Sequence, residues 1–431
     1  MNRGYNTAIN LYRTAARIAS LGSGKIRRMI AGQAATASRL AQFRKELAPD
    51  GFDVWFHAAS LGEFEQARPV IEALLSHRPD IHILVSFFSP SGYEVRHSYD
   101  PRVAVVYMPF DTPENVRAFL DAASPRMAVF VKYEFWGNYL CELRRRGIET
   151  YIISAIFRPG QIFFRPWGGQ FRRILRQFSH LYVQDEQSRM LLESIGISSV
   201  TVAGDTRFDR VTAICRNRRS LPVVECFKGA APKTFTIVAG SSWQRDEDIY
   251  FPWLRRHPEF RAIIAPHEFD AGRLASMKKR LGEKHTMLYS ELEKLHSDSP
   301  EKAAAAVKKT RYLIMDCFGL LSSLYRYADC AYVGGGFGAG IHNINEAAVY
   351  GIPVIFGPRH QKFNEAAALI GCGGGFCVRN RQQLADVLSL FADEPQARIR
   401  AGKAAGHYIA SNVGATALIM NDIFDINLKS E

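Results

Sequence analysis

The sequence is poor in the features that mark secreted, zinc-binding or membrane-spanning proteins. Its seven cysteines are scattered, odd in number and without a Cys-x-x-Cys pair, which favours reduced thiols in the cytosol over a disulfide or zinc framework. No uncharged run reaches the roughly 20 residues of a membrane span, and no signal-peptide core is present. Asp-x-Asp, as found in metal-dependent sugar transferases, occurs once, at Asp246-Glu247-Asp248, where a helix-dipole role is expected. We therefore predict a cytosolic protein without a metal or cofactor.

Acidic residues are absent from the first 45 positions, which hold nine Lys or Arg. One face of a helical projection there carries Tyr5, Ile9, Tyr12, Ala16 and Ala19, and another carries Asn6, Asn10, Arg13 and Arg17. A basic amphipathic helix of this kind suits an anionic membrane surface, so we predict a membrane-associating segment at residues 1–48. A transit peptide or a plainly solvated helix would show the same pattern.

Length and patterning predict two α/β domains. A chain of 431 residues is longer than a domain with a single hydrophobic core usually is. Its net charge of +13 makes nucleic acid, anionic lipid and anionic small substrates candidate partners. Short apolar runs alternate with helical stretches, which indicates mostly parallel, doubly wound sheets. The predicted strands are 54–59, 81–87, 103–107, 127–131, 150–154, 181–183, 235–239, 261–265, 312–315, 331–333 and 353–356. The predicted domains are 49–212 and 234–431, joined by a linker at 213–233, with one closing helix from Gln396 to about Ile423.

The most informative stretch runs from Tyr332 to Asn364. It predicts a strand, a glycine-rich loop that includes Gly335 and Gly336, and a helix that opens near Asn343. Glycines let a backbone approach a ligand closely and a helix N-terminus favours an anion, so a phosphate is the expected ligand; a turn without a ligand is the alternative. Gly240-Ser241 resembles a second anion-binding turn.

Two glutamates follow predicted strands, where open α/β sheets bind their ligands. Glu63 lies in Ser60-Leu61-Gly62-Glu63 at the start of a predicted helix, whose dipole favours its ionised form; it is either a proton acceptor or a charge that stabilises the helix. Glu134 lies in Lys132-Tyr133-Glu134-Phe135-Trp136. It is predicted to share acid–base work with Glu63, or to pair with Lys132 or an arginine.

Arginines alternate with large apolar side chains between Ile156 and Ser179, where Arg158, Arg165 and Arg172 are the candidate ligand-binding residues. This mixture suits a lipid with an anionic head group. It would also suit single-stranded nucleic acid, or a packed core with a basic outer surface.

Five short strings, taken in order, resemble the Kdo transferases, the 3-deoxy-D-manno-oct-2-ulosonic acid transferases of lipopolysaccharide synthesis, over nearly the whole chain. They are His57-Ala58-Ala59-Ser60-Leu61-Gly62-Glu63; Tyr133-Glu134-Phe135-Trp136-Gly137-Asn138; Gly204-Asp205-Thr206-Arg207-Phe208-Asp209; Gly334-Gly335 with His342-Asn343-Ile344-Asn345-Glu346-Ala347; and Gly351-Ile352-Pro353-Val354 with Gly357-Pro358. The resemblance implies a GT-B fold, with two Rossmann-like domains facing across a cleft.

The resemblance also implies roles for individual residues. Glu63 would be the general base, flanked at the acceptor site by Ser60 and Gly62, while Glu134 and Arg207 would stabilise the transition state. Contacts to cytidine monophosphate would map to Pro266, His267, Phe318, Gly319, Leu320, Asn343, Ile344, Asn345 and Glu346.

The chain departs from the family at several of these positions. Pro266-His267-Glu268 replaces a common Pro-Arg-His and so lacks a permanently charged phosphate ligand, which Lys362 is predicted to replace. Arg207 stands for a family lysine and Leu320 for a glutamate. The first residues are basic and amphipathic, whereas the family often has a hydrophobic anchor there.

The sequence therefore predicts an inverting, metal-independent transfer of Kdo from CMP-Kdo to the tetraacylated lipid A precursor. We expect it at the cytoplasmic face of the bacterial inner membrane, with the anionic membrane surface as a partner and no nucleic acid. A GT-B transferase or epimerase that uses a UDP-sugar is the main alternative, and a non-enzymatic nucleic-acid binder is the second.

Overall fold

The computed structural model describes residues 1, 3–217 and 219–428. Asn2, Arg218 and 429–431, which belong to the predicted N-terminal segment, linker and C-terminal domain, lie outside the described residues. Contacts divide the chain into two units. Unit 1 comprises Met1–Arg210 and Val413–Glu431, and unit 2 comprises Val211–Asn412.

Unit 1 is built on a sheet of seven parallel strands in the order β3-β2-β1-β4-β5-β6-β7. The strands are β1 Val54–Ala58, β2 Ile83–Phe87, β3 Val103–Tyr107, β4 Met127–Val131, β5 Glu149–Ala155, β6 His180–Val183 and β7 Val200–Val202. Its helices are α1 Arg3–Ala19, α2 Gly24–Ala34, α3 Thr36–Glu46, α4 Leu61–His77, α5 Pro90–Arg96, α6 Pro113–Ala123, α7 Gly137–Arg145, α8 Gly169–Leu175 and α9 Glu186–Glu193; α10 Thr206–Arg216 begins in this unit.

Helices cover both faces of this sheet, so its strands are apolar on both sides. Successive side chains of β1 point to opposite faces: Trp55 packs in one core with residues of α3, α6 and α7, and Phe56 packs in the other with residues of α4. These two cores explain why uninterrupted apolar runs predicted the first six strands.

The last helix, α21 Ala415–Phe424, belongs to unit 1. Its side chains Ile419 and Ile423 lie in the same core as α4, and its last carbonyl, at Phe424, accepts a hydrogen bond from Arg78 at 2.6 Å. The sequence analysis predicted that the second domain extends to residue 431. The structure instead groups α21 with unit 1, because the apolar face of this helix is buried there.

The predicted amphipathic face of α1 packs largely on its own unit. Tyr5 donates a hydrogen bond to Asp111 at 2.6 Å, Tyr12 contacts Phe88 and Phe110, and Ala16 is buried. The predicted membrane association stays a prediction. The exposed large apolar side chains in this part of the chain are Leu11, Tyr12, Ile18 and Leu21.

Unit 2 has a second sheet of seven parallel strands, in the order β10-β11-β9-β8-β12-β13-β14. They are β8 Thr236–Ser242, β9 Arg261–Pro266, β10 Thr286–Leu288, β11 Tyr312–Ile314, β12 Cys330–Val333, β13 Val354–Phe356 and β14 Gly375–Cys377. After the end of α10, the helices are α11 Pro222–Gly229, α12 Gln244–Arg256, α13 Ala271–Leu281, α14 Tyr289–Asp298, α15 Pro300–Val307, α16 Leu321–Leu324, α17 Asn345–Ala348, α18 Asn364–Gly371, α19 Arg381–Asp393 and α20 Pro395–Ala410.

The two doubly wound parallel sheets confirm the predicted α/β class. Three details differ from the predictions. The helix after the glycine-rich loop is the single turn α17, the predicted linker contains α11, and the closing helix is split into α20 and α21 at Gly414, whose φ of 116° does not continue a helix. Among the described residues, no helix is long and apolar enough to cross a membrane.

Candidate active site

The candidate residues follow strands at the points where each sheet reverses its strand order. In unit 1 this point lies between β1 and β4, which Glu63 and Glu134 follow. In unit 2 it lies between β8, whose carboxyl end contains Gly240 and Ser241, and β12, which the glycine-rich loop follows. Ligands of open α/β sheets bind at such switch points. Arg207 instead follows β7, at the edge of its sheet.

Glu63 is the third residue of α4, and it closes the start of that helix. The backbone N–H and the hydroxyl of Ser60 both donate to Glu63 Oε2, at 2.9 and 3.0 Å. Burial raises the pKa of Glu63, and the charge of Glu134 raises it further, while the bonds from Ser60 and the proximity of His57 oppose the rise. The carboxyl group is thus held in one orientation, with a raised affinity for a proton.

Glu134 is buried and is held by two ring N–H groups. Trp136 Nε1 donates to its Oε2 at 2.5 Å, and His57 Nε2 lies 3.1 Å from the same oxygen. His57 Nδ1 lies 2.8 Å from Ser86 Oγ, which accepts the Nε1–H of Trp55 at 2.8 Å. His57 Nδ1 also lies 3.1 Å from the carbonyl oxygen of Ser86.

Arg207 is paired with Asp205, a partner that the sequence analysis did not assign. Its Nε and a terminal nitrogen donate to Asp205 Oδ2 at 2.9 and 2.7 Å. Burial alone would raise the pKa of Asp205, but the charge and hydrogen bonds of Arg207 lower it overall. The aspartate fixes the guanidinium at the start of α10.

Tyr133 links the members of this cluster and was missed as a site residue. Burial raises its pKa, Arg158 and Arg207 lower it, and Asp185 and Glu63 raise it, so these four charges all act on its hydroxyl. The ring is 37% exposed. The preceding residue, Lys132, has a φ of 66°, a conformation that is uncommon for residues other than glycine and that a sequence does not reveal.

The three predicted acceptor arginines behave differently. Arg165 and Arg158 are exposed, and Arg158 lies close enough to influence Tyr133. Arg172 instead braces its own loop, because its guanidinium donates to the carbonyls of Phe163, Arg165 and Pro166 at 3.2–3.4 Å. Gly62 is exposed in the first turn of α4.

Glycine is required at two positions of unit 2. A Cβ at Gly240, near the end of β8 where the register of the sheet shifts, would overlap the hydroxyl of Tyr325. A Cβ at Gly336 in the glycine-rich loop would lie 2.6 Å from the backbone of Gly357, so glycine lets these two backbone segments approach each other. Ser241 has a φ of 49° and Gly335 a φ of 92°.

The carboxylate of Asp246 anchors the glycine-rich loop. It accepts hydrogen bonds from the backbone N–H of Gly335 at 2.9 Å, of Trp243 at 3.0 Å and from the hydroxyl of Tyr332 at 2.9 Å. The neighbouring Glu247 is paired with Arg273 and Arg280. Asp246 and Glu247 thus bind protein groups, and no cluster of three or more potential metal ligands occurs among the described residues.

Three rings stack beside this loop. His267 stacks on both Trp243 and His342, with centroid distances of 4.6 and 4.3 Å. Trp243 Nε1 donates to His342 Nε2 at 3.1 Å, and burial together with His267 lowers the pKa of His342 to about 4. His342 is therefore neutral near pH 7, with its hydrogen on Nδ1.

A cavity of about 550 Å³ opens beside these rings, within the usual size range of small-molecule sites. Its lining includes Trp243, Arg245, Asp248, Gly335, Gly340 and His342. Trp243 and Arg245 were missed, because a residue just before or after a helix start carries no distinctive pattern.

The predicted donor residues around α17 are mostly held by one another. Asn343 donates to Glu346 Oε1 at 3.1 Å, and its own oxygen accepts from the N–H of Asn345 at 3.1 Å. Ile344 and Asn345 are fully buried, and both polar side-chain atoms of Asn345 have no hydrogen-bond partner. A single helical turn supplies only a weak dipole, so the anion argument for this helix start loses force.

The remaining donor candidates lie at the carboxyl edge of the same sheet. Pro266 ends β9, and Leu320 directly precedes α16. Phe318 is 72% exposed and stacks on Phe269 at 4.7 Å, and Gly319 has a φ of 86°. Lys362 is exposed and forms no ion pair within the part of the chain that the structure describes.

Sequence comparison relates the chain to one family. The family model described as 3-deoxy-D-manno-octulosonic-acid transferase (kdotransferase) matches residues 26–210. The chain is 26% identical over 391 residues to the 3-deoxy-D-manno-octulosonic acid transferase of Bordetella pertussis, and this alignment covers 88% of each of the two chains. It is 26% identical over 382 residues to that of Chlamydophila psittaci (83% of this chain, 81% of the relative) and 24% identical over 344 residues to that of Aquifex aeolicus (78% and 85%).

Solved structures with the same fold include enzymes that share little sequence with this chain. The UDP-GlcNAc 2-epimerase of Neisseria meningitidis, solved with UDP-GlcNAc, matches with a TM-score of 0.58 and 14% identity, over 86% of this chain and all of the other. A UDP-N-acetylglucosamine 2-epimerase from Listeria monocytogenes matches with a TM-score of 0.55 and 11% identity, over 88% and 98%. At such identities the match supports the GT-B fold alone.

Proposed function

We propose that this chain, whose residues 26–210 match the Kdo transferase family model and which is similar to Kdo transferases over most of its length, is a glycosyltransferase of lipopolysaccharide synthesis that transfers Kdo from CMP-Kdo to the tetraacylated lipid A precursor. The transfer inverts the anomeric centre and uses no metal. The observation that carries the proposal is the position of Glu63, next to Glu134 at the switch point of the first sheet.

In this mechanism Glu63 is the general base. The acceptor hydroxyl oxygen bonds to the anomeric carbon of Kdo while Glu63 takes its proton, and the bond to the CMP phosphate breaks with its electron pair leaving on the phosphate. The raised pKa of Glu63 brings it closer to the value a base needs near neutral pH. The fixed hydrogen bonds from Ser60 occupy Oε2, which leaves Oε1 for the acceptor.

Glu134 and Arg207 stabilise the charges that develop in the transition state. Trp136 and His57 hold Glu134 in place, so its negative charge favours the oxocarbenium-like transition state. Arg207, fixed by Asp205, stabilises the negative charge of the Kdo carboxylate or of the departing phosphate.

We assign the donor nucleotide to the cavity beside Trp243, His267 and His342 in unit 2 and to the neighbouring α17 turn. Stacked rings suit a base or a ribose, and the two amide atoms of Asn345 that lack partners suit a polar ligand. The lipid acceptor is assigned to unit 1, near Tyr133 and Arg158, at the cytoplasmic face of the inner membrane.

The decisive experiment replaces the base and measures turnover and donor binding separately. Glu63→Gln retains an oxygen that can accept the hydrogen bonds from Ser60, so α4 should still form, but it cannot take a proton. We expect kcat to fall by about 10²–10⁴-fold with CMP-Kdo binding unchanged, measured by mass spectrometry of the lipid product and by calorimetry.

Glu65→Gln, two residues along the same helix, is the matched control and should retain most of the activity. Wild-type turnover by Glu63→Gln would refute the assignment of the base. Binding of UDP-sugars in preference to CMP-Kdo would refute the assignment of the donor.

A further inference from the structure

A second cavity lies in unit 1 between the N-terminal helices and the loop that follows β3. Its volume is about 290 Å³, close to the lower end of the range for ligand pockets. Helices α1 to α3 form one side, and Pro109, Phe110 and residues of α6 form the other. Since the loop leaves the carboxyl end of β3, the cavity lies on the same edge of the sheet as Glu63.

The polar lining of this cavity contains donors that lack acceptors. Gln33 is 91% buried, and its Nε2 has no hydrogen-bond partner; the Nε of Arg13 is likewise buried and without a partner. Arg17, one helical turn after Arg13 on α1, also lines the cavity. No Asp or Glu lines it, and none occurs in the first 45 residues of the chain.

Other polar groups in the lining are already occupied. The hydroxyl of Thr36 donates to the carbonyls of Gly32 and Tyr107, and the side-chain amide of Asn115 donates to the carbonyl of Phe110. The buried donors without a partner in this lining are therefore Arg13 Nε and Gln33 Nε2, and the exposed guanidinium of Arg17 also lines the cavity. Because all three are donors, they call for a ligand that is rich in acceptors and negatively charged.

The rest of the lining is apolar. Leu40 is fully buried, Phe110 and Phe119 are at most 5% exposed, and Ile30 is half-buried. A free inorganic anion would leave this surface without a partner, whereas an acyl chain would cover it.

We propose that this cavity binds one acyl lipid with an anionic phosphate head group, the phosphate at Arg13, Arg17 and Gln33 and the start of the chain against Phe110, Phe119 and Leu40. Two sources supply this chemistry, a bilayer phospholipid or the lipid acceptor itself. The exposed Leu11, Ile18 and Leu21 near the same helix suit delivery from a membrane surface. A bilayer phospholipid at this site goes beyond Kdo transfer, whereas the acceptor source rests on the proposed function and extends the acceptor site beyond Tyr133 and Arg158.

The test measures binding of dihexanoyl phosphatidylglycerol, below its micelle concentration, to the full chain by titration calorimetry. Monomeric lipid removes the general attraction of a basic protein to a charged surface. We expect saturable binding to the wild type, at least tenfold tighter than binding of inorganic phosphate or of hexyl glucoside, which carry only the charge or only the tail.

Two variants and one control locate the site. Arg13→Gln and Gln33→Leu should each weaken binding by about tenfold or more, while Arg3→Gln, which removes the same charge from an exposed position of the same helix, should change it less than twofold. Thermal melting confirms that each variant is folded. Absence of binding by the wild type, or equal binding by all three variants, would overturn the proposal.

A kinetic arm distinguishes the sources. If the lipid acceptor occupies the cavity, the short-chain lipid should raise the acceptor KM without changing kcat. If a bilayer phospholipid occupies it, the acceptor KM should not change although the short-chain lipid binds. Both outcomes support the site, and neither depends on the identity of the sugar donor.

Discussion

Asp209 is expected to hold the C-terminal helix in unit 1. Its carboxylate accepts three hydrogen bonds from the start of α21: from the backbone N–H of Gly414 at 2.6 Å and from the backbone N–H and hydroxyl of Thr416, both at 2.7 Å. It therefore caps a helix that begins more than 200 residues later. Replacing it with alanine should destabilise unit 1 without touching the proposed active site.

The size of the effect follows from these bonds. A hydrogen bond to a charged group contributes about 1.5–3 kcal/mol, but water reaches the exposed Gly414 and replaces part of the loss. Three bonds at about 0.5–1.5 kcal/mol each give a loss of roughly 2–4 kcal/mol, somewhat above that of an ordinary N-cap. For a unit of about 200 residues, each kcal/mol lowers Tm by about 2–4 °C, so we expect a fall of roughly 4–16 °C.

Calorimetric melting of Asp209→Ala beside Asp209→Asn and Asp50→Ala tests this estimate. Asparagine retains one acceptor oxygen and should lose about half as much, and Asp50 is an exposed residue that should lose almost nothing. A Tm for Asp209→Ala within 2 °C of the wild type would refute the reasoning, because it would mean that water fully replaces the carboxylate.

Two further predictions concern the two switch points. Since the charge of Glu134 raises the pKa of Glu63, Glu134→Gln should lower that pKa, and the acid limb of the kcat/KM profile should move to lower pH. An exposed Glu193→Gln serves as control, and a shift to higher pH would contradict the coupling. In unit 2, Gly240→Ala should cost about 1–3 kcal/mol by overpacking, because its Cβ overlaps Tyr325 and lies 2.7 Å from Leu321. Gly229→Ala, whose Cβ meets nothing within 4 Å, is the control and should leave the free energy of unfolding unchanged. Equal melting temperatures of the two variants would show that position 240 tolerates a side chain.

The fold was largely predictable because its central strands are buried on both faces. Val103–Tyr107 and Met127–Val131 match the predicted strands at both ends. The strands Val200–Val202, Thr286–Leu288 and Gly375–Cys377 were missed, because they lie at sheet edges and are only partly buried, so they carry no continuous apolar run.

Helix ends were harder to predict than strands. The break at Gly414 and the single turn at Asn345–Ala348 depend on backbone angles, and no periodic pattern records them. The contacts of α1 were not predicted for a related reason: a helical projection groups Tyr5 with Ala16 but contains no information that Asp111 lies opposite Tyr5.

The sequence predicted which residues belong to the candidate site, but it did not predict how these residues are arranged in space. Glu63 and Glu134 were recognised at strand ends, but their proximity depends on β1 and β4 being neighbours in the sheet. Tyr133 and Trp243 contribute through charges and rings brought from elsewhere in the fold, which a linear pattern does not contain.

Glu63 is both the proposed base and the residue that closes the start of α4. A mutation that removes both side-chain oxygens therefore also removes a local helix stabiliser, so selection for folding and selection for turnover act on the same side chain. Drift at this position would still be opposed by folding in a lineage that no longer needed the reaction. A descendant could lose activity through many other residues before it lost this glutamate, so its presence alone is a poor indicator that a related sequence is still active.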